Sequence, residues 1–569
     1  MRNDEKAVTG SLDHSAMWKH LEYLSSLDKL SGSPGAARAS AYILEQLSIC
    51  GIPGREERFE EYLSNPLESR LVLEDGTAFR SRPRSFSADC PQGVEGELVF
   101  DPNNRDHEMT DEQWERLLES FRGKIVVSHG YDERYAKLLE RHGAAAWIQV
   151  WGSGEEVIHE DTASGVWGTP TIDTSLLTPC IPIIGVSGPD GEALQERISR
   201  GPVRAKLISR VETGVFPVVM PVAEIPGRSR EFVLISCHYD SWFLGAMDNC
   251  TANAAAIEIA RAFWKRRGEL ERGIRIVWYA GHSNGRYAGS TWYCDNHWRE
   301  LHDHCVAHIT SDLTGSKYGS QVGAHTTGAE GREYLRSAAA VAAPGAEVRF
   351  FGIGRGADQS FWGTGIPFHF YTRHIRPDSE KDSAAPGPGV SWWHTAQDTL
   401  DKIDPQVYRK DSDLLFLSAY RLAAEKRLPF GGKEYFDAVD KVLAEADAAS
   451  EAEFDFAEIR AALARLEAAA TAALDAAGQD DEAGNRVVRL VCGGLNRLRQ
   501  SYGSPYDHDL AFSASGIFPR LCCVQGKKRE EMSPAQYLFL RTDFVRQRNR
   551  AIHQLDLLTE AVGGRHPKV

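Results

Sequence analysis

The stretch EFVLISCHYDSWFLGAMDN, residues 231–249, decides the fold. It opens on a short apolar run, passes through His238, Tyr239 and Asp240, and leads by small residues into TANAAAIEIARAFWKR, a segment of helix length. The same texture recurs in GIRIVWYAG, VAHITSDLTG and IPFHFYTR, with REYLRSAAAVAA between the last two. Short, nearly continuous apolar runs alternating with helices predict a mostly parallel, doubly wound α/β sheet covered on both faces. Ligands gather at the carboxyl ends of such strands, so the polar residues that follow each run carry the chemistry.

Outward from this body, residues 1–80 read as its N-terminal part: two helices joined by SGSPG, then a strand, a turn at Asp75-Gly76 and a second strand. Residues 81–215 read as a small β-rich insert with a helix or two, with GELVFDP, GKIVVSHG, GAAAWIQVW and CIPIIGVS separated by Gly, Pro and polar clusters. The body resumes over 216–428, and 429–569 turns to long helices. There Ile459, Leu463, Leu466 and Leu474 keep a spacing near 3.6, and Ser533, Pro534 and Gln536 form a helix start with a capping box. The chain has 569 residues, 42% hydrophobic and 25% charged, and a net charge of −15 that argues against nucleic-acid and anionic-membrane partners. Its ten cysteines form no CxxC pair and no apolar run spans a bilayer, so the expected setting is the reducing cytoplasm.

Four sets of polar residues stand at or near strand ends. CHYDS and GAMDN hold His238, Asp240 and Asp248; SDLTG holds Asp312; WHTAQDTLDKID holds His394 and Asp398. Histidine and aspartate are ligands that zinc accepts, and each is costly to bury without a metal or a partner. Asp240, two residues beyond His238, lies on the same side of an extended strand and can take the second imidazole proton. Taken singly, each has a blander reading: a histidine after a strand is usually a satisfied hydrogen bonder, and Asp398 before Thr399 can simply cap a helix. Four such residues at successive strand ends are harder to attribute to packing.

These motifs, with GADQSFWGTGIPF, resemble the co-catalytic zinc peptidases that include secreted bacterial aminopeptidases and glutamate carboxypeptidase. The insert is similar to the protease-associated domain of that family, and the last region to its transferrin-receptor-like dimerisation domain. The resemblance implies one divalent metal on His238 and Asp312, a second on His394, and Asp248 bridging both, with Asp240 behind His238. It also implies a homodimer, and zinc as the metal ahead of manganese, iron or cobalt. Arg355, Asp358, Arg373 and Trp393 are expected to face the substrate, and Trp242, Phe243, Tyr287 and Trp392 to wall the pocket.

One departure has consequences. The family carries two adjacent glutamates ahead of the Gly-Ser that here is Gly289-Ser290, the first a general base and the second a metal ligand. In WYAGHSNGRYAGS their places fall on Ser283 and Asn284. Ser283 with an ordinary hydroxyl is a poor base and stands only as a candidate nucleophile, and Asn284 offers only a neutral oxygen as ligand. His282 is the nearest residue able to compensate, as base, nitrogen ligand or supporting hydrogen bonder. The expected function is therefore a metal-dependent hydrolase of an amide or peptide-like C–N bond in a small specific substrate, with a non-standard base. A one-metal lyase or non-peptide C–N hydrolase, and a catalytically silent binding protein, are the alternatives. One or two metals per chain are both compatible with the sequence.

Overall fold

The computed structural model describes residues 5–102, 111–130, 133–327, 329–383, 389–511 and 518–564. At its centre the strands Gly273–Tyr279, Phe232–His238, Cys305–Thr310 and His369–Ile375 run parallel in that spatial order. The first two are buried along their whole length, as expected of strands sandwiched between helices. Thr251–Arg266 and Pro405–Ala424 pack on this sheet, burying a cluster that includes Ile257, Phe263, Leu414 and Phe416. Gln321–Thr326 then adds antiparallel to His369–Ile375 and carries Val348–Gly352 parallel at the edge. The sheet is thus mixed at that end and doubly wound at its centre.

The opposite end explains how the insert is attached. Gly54–Leu73 and Arg204–Ile225 pair antiparallel from Gly54↔Ala223 to Leu73↔Ala205, a two-stranded ribbon far longer than the usual five- or six-residue strand. One end of the ribbon joins the body through Ile274↔Ile225, and the other reaches the insert through Glu97↔Arg204. The strand Arg204–Ile225 runs unbroken through residue 215. The insert combines strands with helices, as its sequence reads. Its strands Ile125–His129, Ala146–Val150 and Ile183–Val186 are parallel, with Glu133–Arg141 and Gly188–Arg200 as covering helices. Both helices are highly charged.

The last region holds Lys433–Ala448, Ala457–Ala477, Asp481–Gln500 and Pro534–Val562. Ser533 and Gln536 form the capping box, and Ile459, Leu463 and Leu466 are buried. Among the described residues, no helix is long and apolar enough to cross a membrane.

Candidate metal centre

His238 is the last residue of its strand, Asp312 lies two residues beyond Thr310, and Asp248 lies in the turn ahead of Thr251–Arg266. The fold therefore delivers all three to the carboxyl edge of the sheet. His238 Nε2 is 3.1 Å from Asp248 Oδ1 and 3.4 Å from Asp312 Oδ1. None of these three buried atoms has a hydrogen-bond partner. Polar atoms that converge without satisfying one another are costly unless something else joins them. One imidazole nitrogen and two carboxylate oxygens, all within 4.8 Å, fit a divalent cation. Burial alone would lower the His238 imidazolium, yet Asp240, Asp248 and Asp312 hold it well above its ordinary value, which measures how negative this spot is.

The supporting contacts differ from the expected ones in detail. His238 Nδ1 donates to the backbone carbonyl of Asp240 at 2.9 Å, while the nearer carboxylate oxygen stands at 3.6 Å. That carboxylate instead accepts the backbone N–H groups of His282 (3.3 Å) and Ser283 (3.1 Å). Asp240 thus fixes the tautomer of His238 through its main chain and the next loop through its side chain. Asp398 accepts the N–H groups of Met247 (2.8 Å) and Asp248 (3.0 Å), which makes it a clamp on the Asp248 turn rather than a helix cap. Burial, with Asp248 close by, pushes the Asp398 carboxyl up to about 7 against the pull of those amides.

Asp248 also faces the other way. Its Oδ2 lies 3.0 Å from His394 Nε2 and accepts the indole N–H of Trp393 at 2.7 Å. The half-buried Trp393 is thereby tied to a carboxylate of the centre. His394 is held by the insert: its Nδ1 donates to the carbonyl of Glu160 at 3.0 Å, and the Glu160 N–H donates to the His394 carbonyl at 2.9 Å. The His159 ring stacks on Trp151 (centroids 3.9 Å, 10°) and lies 5.1 Å from the His394 ring. Asp161 follows, half-buried. Arg82 pairs with the Glu160 carboxylate, and Arg84 binds the His159 carbonyl and Gln149.

The WYAGHSNGRYAGS loop meets the metal centre at His282. Its ring stacks on His238 at 3.5 Å and 8°, and its Nδ1 lies 2.9 Å from Asp358 Oδ2. Asp358, expected at the substrate, is fully buried behind this histidine. Asn284 turns elsewhere, its Nδ2 donating to Ser31 O (3.0 Å) and Asn65 Oδ1 (2.7 Å). Its amide nitrogen thus joins the loop to the strand Gly54–Leu73, while its buried Oδ1, the atom expected to serve as a neutral ligand, has no hydrogen-bond partner. Ser283 is buried, with its backbone on Asp240. Beneath the loop lies Glu61, buried, with neither carboxyl oxygen hydrogen-bonded. Burial first, then Asp240 and Asp358, push this carboxyl well above its usual range. Tyr287, Asp358 and His394 all have positive φ, a backbone condition that side chains avoid and that concentrates at functional sites.

Two expected substrate contacts are occupied differently. Arg355 donates to Gln500 O (2.6 Å) and Asp509 Oδ2 (2.9 Å), tying its loop to the C-terminal region. Arg373 lies on the strand His369–Ile375, nearly buried, its guanidinium 5.3 Å over the Tyr371 ring. Of the loop leading to His394, residues 384–388 lie outside the described residues. Glu61, His159 and Asp161 were missed from sequence, since each sits in a charged stretch far from the strand-end motifs.

Residues 221–418 match the sequence profile described as Peptidase family M28. This part of the chain is an M28 peptidase domain. Among curated proteins, a probable glutamate carboxypeptidase VP8 of Zea mays is 22% identical over 348 residues, covering 50% of this chain and 48% of the relative. The match thus spans about half the length of that relative. Among solved structures, an aminopeptidase from Aneurinibacillus sp. strain AM-1 superposes with a TM-score of 0.57 at 21% identity, covering 76% of this chain and 99% of its own. A peptidase M28 precursor from Shewanella amazonensis SB2B gives 0.60 at 20%, covering 75% and 98%. BSAP, a zinc aminopeptidase from Bacillus subtilis, gives 0.57 at 19%, covering 74% and 99%. At these identities the likeness establishes the fold of the M28 domain and its surroundings.

Proposed function

We propose that this protein is a metal-dependent hydrolase of an amide or peptide-like C–N bond, in which His282 backed by Asp358 replaces a glutamate base. The observation that carries the reading is the convergence of His238 Nε2, Asp248 Oδ1 and Asp312 Oδ1 as buried atoms without partners, beside a His–Asp pair. These three residues would hold a divalent cation, zinc in the first instance, and the cation would supply Lewis acidity toward the scissile carbonyl. Asp358 accepts the Nδ1 proton of His282 and so leaves Nε2 as the basic atom. His282 Nε2 takes a proton from the water that adds to the carbonyl carbon, and returns it to the nitrogen as the C–N bond breaks. Asp358 orients the ring and offsets its positive charge between the two transfers. The close packing of the site favours a small substrate: Asp248 and Asp312 are 5% and 7% exposed.

The test is a panel of dipeptides, N-acyl amino acids and aminoacyl anilides offered to zinc-loaded protein, followed by His282→Ala and Asp358→Asn. Loss of the proton carrier is expected to lower kcat by about 10²–10⁴-fold with the metal content intact. Full activity in both variants would reject the assigned base, and no hydrolysis of any member would reject the reaction class.

A further inference from the structure

The helix Ala288–Asn296, which begins inside the WYAGHSNGRYAGS stretch, ends against residues 505–508 of the C-terminal region. That segment is fastened on both sides of His508. Trp298 Nε1 donates to Pro505 O at 2.9 Å, and its ring lies against Tyr506 with centroids 5.0 Å apart. Asp509 holds the other side through Arg355 and the N–H groups of Tyr502 and Gly503. His508 is thereby carried to the last turn of the helix, where its Nε2 lies 2.9 Å from Asp295 Oδ1.

A surface ion pair would account for those two residues, but not for Cys294 beside them. Cys294 is a free thiol, only 3% exposed, in the apolar cluster that also holds Tyr279, Tyr293 and Leu301. Its sulfur makes no hydrogen bond among the described residues. Yet that sulfur, one nitrogen of His508 and one carboxylate oxygen of Asp295 all lie within 4.8 Å of one another. Thiolate, imidazole and carboxylate are each zinc ligands, and the C-terminal end of a helix favours a cation. Burial first, then the Asp295 carboxylate, hold the thiol well above its ordinary value, so without a cation it stays protonated and unreactive.

We propose that Cys294, Asp295 and His508 form a thiolate-bearing zinc site at the seam between the body and the C-terminal region. Binding breaks the Cys294 S–H bond: the sulfur keeps the electron pair and gives it to the cation, and the proton leaves to water. His508 binds as the neutral imidazole with its hydrogen on Nδ1, and the exposed Asp295 leaves the fourth position open to water. The cation ties the C-terminal region to the helix that follows His282. It is independent of the cluster of His238, Asp248 and Asp312, which contains no sulfur ligand, and it takes no part in the proposed reaction.

Cobalt(II) added to metal-free full-length protein tests this, because only a thiolate ligand gives a near-ultraviolet sulfur-to-cobalt charge-transfer band. Wild type is expected to show the band. Cys294→Ser is expected to lose it, and His508→Gln to weaken the binding that it reports by at least about ten-fold. Asp312→Asn, at the other cluster, is expected to leave the band unchanged. Because Cys294 is buried, His508→Gln on its half-buried segment decides the matter if Cys294→Ser does not fold. No band in wild type, or a band of equal strength and affinity in either variant, overturns the seam site while leaving the His238 cluster and the proposed reaction standing.

Discussion

The tie between Arg355 and Asp509 lets a side chain far from the metal centre be tested for its hold on the catalytic pair. The two side chains are only 6% and 2% exposed and meet at 2.9 Å. Asp509 also accepts the N–H groups of Tyr502 (3.0 Å) and Gly503 (3.1 Å), but these residues are half-exposed and water can replace it there. Asp509→Ala takes a carboxylate away from a buried guanidinium, which costs about 3–5 kcal/mol. For a cooperative unit of ~150–250 residues that is roughly 6–20 °C in melting temperature. Replacing both partners by apolar residues, Arg355→Met with Asp509→Leu, removes the charge along with its partner and is expected to return most of the loss. Differential scanning calorimetry of wild type, single and double variants measures this. Arg355 is three residues ahead of Asp358, and Ala357 and Asp358 both sit at positive φ, a conformation that surrounding contacts must impose. The single variant should therefore also lose turnover at full metal loading. A loss under about 1 kcal/mol, or a double variant as unstable as the single one, would refute the claim that this pair is buried and mutually dependent.

Asp398→Ala removes the acceptor of two amides that fix the Asp248 turn, and metal affinity is expected to fall about 10–100-fold in a chelator competition; unchanged affinity would show that the turn holds itself. Glu61 has a folded pKa raised above the ordinary 4.5, so its favourable protonated form is fully present below that pH and its contribution is lost as pH rises toward the folded value. The stability gained by Glu61→Gln should accordingly be larger at pH 8 than at pH 5, and an equal gain at both would reject the burial of an unpaired carboxyl. Asn284→Glu sets a carboxylate against Ser31 O and Asn65 Oδ1, so it is expected to lower the melting temperature without creating a metal ligand. A rise in metal affinity would mean that this side chain reaches the cluster after all.

What could be read from sequence and what could not divide along a physical line. A buried parallel strand announces itself by its apolar run, and the residue after it has only the sheet edge to occupy. His238 and Asp312 were legible for that reason, and Asp248 and His394 followed from motifs beside the same edge. Which atom of a residue acts is not encoded in that way. Asp240 lies where its position beyond His238 places it, yet its carbonyl takes the imidazole proton because its carboxylate is drawn to the His282 and Ser283 amides. Partners joined across long separations were equally hidden. Asp358 is 76 residues from His282, and Glu160 is 234 residues from the His394 ring that it supports. The fixed strand-end residues come from one sheet, whereas His159, Asp161 and Glu61 arrive by way of the long ribbon and the insert it carries.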